Sequence, residues 1–376
     1  MLATHHTTSH DLWTSGDGGY HTYRIPALVV TDSGTVLAFC EGRRDGRGDA
    51  GEIHLLLRRS HDHGLTWDEP RVVTAAPGFT RGNPAPVVDR RTGEVILLFT
   101  QNPAEHNETD VCAGLADRTV WITRSADDGV SWSSPQEITA QVKDPSWTWY
   151  ATGPCHGTQL ASGRLIIPCD HAVGIAHDRW NDPFRSHVIY SDDGGASWHV
   201  GGVLPEGTNE STVAELRGGP ADRVYFNARN HNDSGLRGYA YSDDGGETFG
   251  PLQWHETLVE PTCQGSVLEG PDGVLFFANP ASTGRERLTV RASGDDGRTW
   301  SRGRVINEFP SAYSDLAVTA DGHLLCLYER GDAQPPYDSL RLARLPMDEV
   351  LAELGPADQS QLPADAAGGT GGAAPS

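Results

Sequence analysis

The chain has 376 residues, with 51 Asp and Glu against 29 Lys and Arg, for a formal net charge of −22. A surface of that sign repels phosphate, which excludes nucleic acid and anionic membrane as bulk partners. Gly and Pro number 44 and 24, a turn-rich composition that speaks against a helical or disordered chain, and Lys143 is the only lysine, so any anion site must be built from guanidinium groups.

From the N-terminus, a strand is predicted near Asp11 to Thr14. Strand pairs around a glycine turn follow at Ala27 to Cys40 (Gly34), Ala85 to Thr100 (Gly93), Gly157 to Cys169 (Gly163), Val213 to Asn227 (near Gly218) and Ser266 to Asn279 (Gly273). After each pair comes an alternating apolar segment: His54 to Arg58, Val120 to Arg124, Val188 to Tyr190, Gly238 to Tyr241 and Leu288 to Ala292. A last unit, Ser314 to Leu345, turns at Gly322. Met347 to Leu354 reads as a short helix, and residues 355–376, mostly Gly, Ala, Pro, Ser and Asp, as a flexible tail.

Each alternating segment runs into one motif. Its copies are Ser60-His-Asp-His-Gly-Leu-Thr-Trp67, Ser125-Ala-Asp-Asp-Gly-Val-Ser-Trp132, Ser191-Asp-Asp-Gly-Gly-Ala-Ser-Trp198, Ser242-Asp-Asp-Gly-Gly-Glu-Thr-Phe249 and Ser293-Gly-Asp-Asp-Gly-Arg-Thr-Trp300. Asp62, Asp127, Asp193, Asp244 and Asp295 are spaced by 65, 66, 51 and 51 residues. Asp and Ser or Thr can bond the turn's own backbone, Gly supplies positive φ, and the closing aromatic leaves the turn to pack on a neighbour. Four strands per repeat is the signature of propeller blades. The expected fold is an all-β, six-bladed β-propeller with four antiparallel strands per blade, one domain over residues 1–346 with its last blade closed by the N-terminal strand.

In such blades the Asp motifs, as turns between strands 3 and 4, share one face. The opposite face collects Arg24 in Tyr23-Arg24-Ile25-Pro26, Arg43, Arg44 and Asp49, Glu210, Arg229 in Asn227-Ala228-Arg229, Arg285 and Arg287, Tyr313 and Glu329. Residues far apart in sequence meet near a propeller axis, and several arginines at one mouth suggest bidentate capture of a carboxylate.

Other chemistries find less support. Sixteen histidines include no His-Glu-x-x-His, no Gly-x-Ser-x-Gly elbow occurs, and no C-x-x-C pair suggests zinc. No metal and no cofactor is expected. The six cysteines read as free thiols, although Cys155 and Cys169 lie equally far from Ser162 and leave one cross-strand bridge open. No membrane span is predicted, and the first thirty residues show neither the basic nor the apolar region of a secretory signal.

The Tyr-Arg-Ile-Pro motif, the Asp boxes and Tyr313-Ser-Asp-Leu together resemble the non-viral sialidases (exo-α-sialidases, neuraminidases) over residues 15 to 345. The resemblance implies an arginine triad for the substrate carboxylate at Arg24, Arg229 and Arg285, with Arg287 as the competing third position. It implies Asp49 as acid/base, Tyr313 as nucleophile and Glu210 as its base, with Glu215 five positions further on. Glu329 is implied to orient Arg24, and Arg43 to be a further substrate-side arginine. Trp149 and Tyr150, just after Trp147, and Asn83 in Gly82-Asn83-Pro84 are weaker candidates. The implied function is retaining hydrolysis of terminal α-linked sialic acids from glycoproteins, gangliosides and sialyl-oligosaccharides by a monomer. The alternatives are a trans-sialidase or intramolecular trans-sialidase on the same site, or a non-catalytic Asp-box binding module.

Overall fold

The computed structural model describes residues 7–174, 184–217 and 221–354. The turn expected near Gly218 and the tail at 355–376 lie outside the described residues.

The described chain is all-β, apart from short helices at Glu108–Cys112, Thr139–Val142 and Met347–Leu351 and one turn of 3-10 helix. Its strands pair antiparallel in four-stranded runs. The first run is Thr22–Val30, Val36–Arg43, Ile53–Ser60 and Arg71–Thr74. The second is Phe79–Asp89, Glu94–Pro103, Thr119–Ser125 and Gln136–Glu137. In the third, two pieces, Trp147–Thr152 and Thr158–Gln159, share the edge of Leu165–Val173, which Phe184–Ser191 and His199–Val203 follow. Thr208–Glu215, Val224–Asn230, Leu236–Ser242 and Gln253–Val259 make the fourth.

The long strand Arg304–Thr319 serves two runs. Its first half ends the run Ser266–Glu269, Leu275–Pro280, Glu286–Ser293. The second half opens the run His323–Arg330, Ser339–Pro346 and, as the N-terminal pairing predicted, Thr8–Thr14. Formally these runs form four hydrogen-bonded sheets of eight, five, four and seven strands. The opening strands touch one another in sequence, and Arg304–Thr319 returns to touch Thr22–Val30.

Alternation explains which faces are buried. Between the first two runs lie Leu37, Phe39, Leu55, Leu97 and Phe99, and similar clusters fill the other gaps. The Asp boxes supply wedges to these gaps. Trp132 meets Phe39 of the preceding run edge-on at 5.8 Å between ring centroids, and Trp300 reaches Tyr225 at 6.1 Å. Burying such a ring is worth roughly 2–3 kcal/mol. Each box is stapled as the motif requires: in the third, Gly195 N–H donates to Ser191 Oγ (2.8 Å), Ser197 N–H to Asp193 Oδ1 (2.9 Å) and Ser197 Oγ to Asp193 Oδ2 (2.6 Å).

At the centre, one carboxylate ties four runs together. Asp315 accepts from Leu28 N–H (2.7 Å), His156 N–H (3.1 Å) and Ser266 Oγ (2.7 Å), and meets His156 Nδ1 at 2.7 Å. It lies two residues beyond Tyr313 on the same strand and so fixes that strand's height against its neighbours.

All six cysteines are buried free thiols, so the open Cys155–Cys169 bridge is not formed. The pairing expected of a continuous hairpin fails because Cys155 lies in the break between the two pieces of the third run, while Cys169 stands opposite Thr152.

Candidate active site

The inner strands reach the site face through β-bulges, and the bulges aim the functional side chains. In each, two residues of an opening strand face one residue of its partner. Ile25 and Pro26 oppose Cys40, Asn83 and Pro84 oppose Phe99, and Thr148 and Trp149 oppose Ala172. Asn209 and Glu210 oppose Arg229, and Ala312 and Tyr313 oppose Glu329. Ile25 and Asn83 have φ near +57°, a conformation that side chains seldom adopt outside such sites.

The fourth and last of these runs bring Glu210, Arg229 and Tyr313 together. Tyr313 Oη donates to Glu210 Oε1 at 2.6 Å; Arg229 NH1 donates to Glu210 Oε2 at 2.6 Å and to Tyr313 Oη at 3.1 Å. Burial and then the Glu210 charge push the Tyr313 phenol well above its ordinary pKa, against the pull of Arg229, Arg285 and Arg24. The resting phenol is therefore neutral.

Two further arginines close on the same ring. Arg24 lies 5.2 Å and Arg285 5.6 Å from the Tyr313 centroid. Glu329, 0 % exposed, holds Arg24 through Nε at 2.9 Å and NH2 at 3.4 Å, and accepts from the backbone N–H of Ile25 (3.0 Å) and Tyr313 (3.3 Å). Asp49 stands at the mouth, its side chain 47 % exposed, against Arg24 (3.1 Å) and Arg43 (2.8 Å). Arg43 is itself buried and gripped by Glu41 at 2.6 Å.

Arg287 is not part of the site. An extended chain would put it on the same side as Arg285, but its φ of +58° breaks the alternation, and its guanidinium turns out to Glu308 at 3.3 Å. Arg285 turns inward, donating to Tyr337 Oη (3.0 Å) and the Thr262 carbonyl (3.3 Å). Tyr150 does not line the pocket either. It is fully buried in the core beneath the third run, with its hydroxyl 3.2 Å from His187, whereas Trp149 lines the pocket. Asn83 lines it too, its N–H donating to Glu41 at 2.8 Å. Glu215, at the far end of the Glu210 strand, accepts from Ala161 N–H at 2.7 Å, and Arg44 faces solvent beside Glu52.

Several groups in or beside the pocket are not among those predicted from the sequence. Glu41 stands two residues before Arg43 on one strand, a spacing that points both side chains the same way. Arg118 is buried against the Trp149 ring (4.1 Å), donates to the Tyr150 carbonyl at 2.7 Å and to the Asn83 and Asn102 side-chain oxygens, and is lowered by burial to about 10. Tyr337 spans two arginines, with its ring 4.1 Å from Arg24 and its hydroxyl on Arg285. Asp170, also in the pocket wall, was readable as a lone charge in the apolar strand Leu165–Val173.

Among the described residues, no group of three or more His, Cys, Asp or Glu is disposed to hold a metal ion, and no helix is long and apolar enough to cross a membrane.

A family model described as a BNR repeat-like domain matches residues 34–326. The chain is 35% identical to a sialidase of Micromonospora viridifaciens over 86% of its own length, and spans about half (52%) of that protein. It is 33% identical to Sialidase-3 of Bos taurus, with 83% of this chain and 87% of the relative aligned. Among solved structures, the Hadza microbial sialidase Hz136 superposes with a TM-score of 0.82 at 28% identity, covering 91% of this chain and 69% of that one.

Proposed function

The chain belongs to the sialidase family of glycoside hydrolases, and from that premise we propose that it is an exo-α-sialidase that removes terminal α-linked sialic acids from glycoconjugates with retention, through a tyrosyl-enzyme intermediate. The observation that carries this reading is the Tyr313–Glu210 hydrogen bond of 2.6 Å inside a ring of Arg24, Arg229 and Arg285. We propose that the strand runs constitute the blades of one six-bladed propeller within residues 1–346, acting as a monomer.

Sialic acid carries a carboxylate on its anomeric carbon, so an attacking Asp or Glu would meet a like charge at contact distance. A phenol avoids that repulsion but is a weak nucleophile while neutral, and needs a base within hydrogen-bond reach. In the proposed reaction the three arginines hold the substrate carboxylate. Tyr313 Oη bonds to the anomeric carbon as its proton passes to Glu210, and Asp49 gives its proton to the departing glycosidic oxygen. Asp49 then takes a proton from water, which attacks the anomeric carbon from the vacated face. Tyr313 leaves and recovers its proton from Glu210. Two inversions give net retention. The cationic ring of each transition state lies among Glu210, Tyr313 and Asp49.

The test is release of free sialic acid from an aryl α-sialoside, followed by proton NMR of the first-formed product. Release of the α-anomer by the wild type, absent in Tyr313→Phe, is the expected result. An anhydro or transferred product would replace hydrolysis with transfer, and no turnover above the Tyr313→Phe background would leave a binding module.

A further inference from the structure

The walls of the pocket divide by origin. Arg43 and Asp49 come from the first run, Glu210 and Arg229 from the fourth and Tyr313 from the last; the second and third supply Glu108, Arg118, Trp149 and Asp170. Asp170 is 1 % exposed, and neither carboxyl oxygen has a hydrogen-bond partner among the described residues. Buried polar groups almost always find partners, so an unpartnered one in the wall of an open pocket points to what the pocket receives.

Resting on the sialidase reading, we propose that Asp170 is a specificity-determining residue, the hydrogen-bond partner of a hydroxyl or amide substituent of the sugar on the side away from its carboxylate. The surroundings set the form in which it acts. Its flanking partners across the sheet, Ala151 and Ser186, are uncharged. Burial, then Glu210 and Glu108, raise its pKa well above the carboxylate range; Arg229 and Arg118 pull the other way, and Tyr150 and Cys169 beside it are themselves held in their neutral forms by burial. The shift favours the neutral acid, which both donates and accepts, over the carboxylate. When pH climbs through its titration, the donor is lost and a negative charge appears beside an anionic substrate, so KM rises.

Steady-state kinetics on an aryl α-sialoside across pH test this with wild type, Asp170→Ala and Asp170→Asn, each checked by its melting temperature. Asp170→Ala is expected to raise KM about tenfold or more while kcat changes less, the size of effect for a lost buried polar contact to substrate. Asp170→Asn, which keeps the shape and a donor, recovers most of that loss, and its KM lacks the rise with pH that the wild type shows. An unchanged KM in a folded Asp170→Ala, or the same rise of KM with pH in Asp170→Asn as in wild type, overturns the proposal. Should Asp170→Ala not fold, the Asp170→Asn profile decides. Wild-type turnover with no Asp170 effect refutes this inference alone, whereas a wild type that turns over no sialoside refutes the sialidase reading with it.

Discussion

Tyr313 and Glu210 share a 2.6 Å hydrogen bond across two bulged strands, with Arg229 in contact with both. Burial holds the phenol neutral, and in the proposed reaction the pair acts as one unit, the phenol attacking as its proton leaves for Glu210. Tyr313→Phe and Glu210→Gln should each lower kcat by about a thousandfold, within the range for losing a nucleophile or its base. The double variant should be hardly worse than either single one, because groups that act together are not additive. Independent, multiplying losses in single-turnover assays would contradict the pairing.

Arg285 and Arg287 separate cleanly. Arg285→Ala is expected to raise KM by about tenfold or more, since a charge-assisted contact to a carboxylate is worth roughly 1.5–3 kcal/mol. Arg287→Ala should leave KM and melting temperature near wild type, because its partner Glu308 is an exposed surface ion pair. The same assay with Arg285→Lys should recover only part of the loss, as an ammonium lacks the planar fork. A larger effect at Arg287 than at Arg285 would reverse the assignment.

Glu329 has two roles that one substitution exposes together. It neutralises buried Arg24 and caps the backbone of both Ile25 and Tyr313. Glu329→Ala takes from Arg24 its buried counter-ion, leaving the half-exposed Asp49, and strips two N–H groups of their acceptor. Breaking a buried pair this way costs about 3–5 kcal/mol. A fall of several degrees in melting temperature accompanied by lost activity is expected. Unchanged melting with lost activity would mean that Glu329 acts on catalysis alone.

Alternation and the Asp-box period made the strands legible, because a period of two and a fixed turn chemistry are local properties. Arg24, Glu210, Arg229 and Tyr313 were legible as charged or phenolic residues at strand ends on one face. The bulges were not. Where two residues oppose one, alternation no longer says which neighbour faces the pocket, and so Trp149 and Tyr150 were grouped although only Trp149 lines it. Arg287 misled for the same reason, through one left-handed residue. Arg118 and Tyr337 sit outside any periodic segment and join the site only when distant parts of the chain come together, which no local pattern encodes.

The Asp boxes predict acid resistance with a definite window. Asp127 and Asp193 are lowered to about 2, chiefly by the hydroxyls of Ser131 and Ser197 and by the backbone N–H groups of the same residues. A carboxylate whose folded pKa is depressed contributes stability that is fully present above its unfolded pKa of about 4 and is lost as pH falls through the folded value. The box turns should thus hold at pH 4 and weaken toward pH 2. Asp193→Ala removes the staple beneath Trp198, so its melting temperature should lie below wild type at pH 7, by a margin that shrinks as pH is lowered from 4 to 2. Both groups are exposed, so screening keeps the pH-dependent part small, and the test lies in the direction of the change. A margin that stays constant on acidification would show that Asp193 acts by turn shape alone, without the charge of its carboxylate.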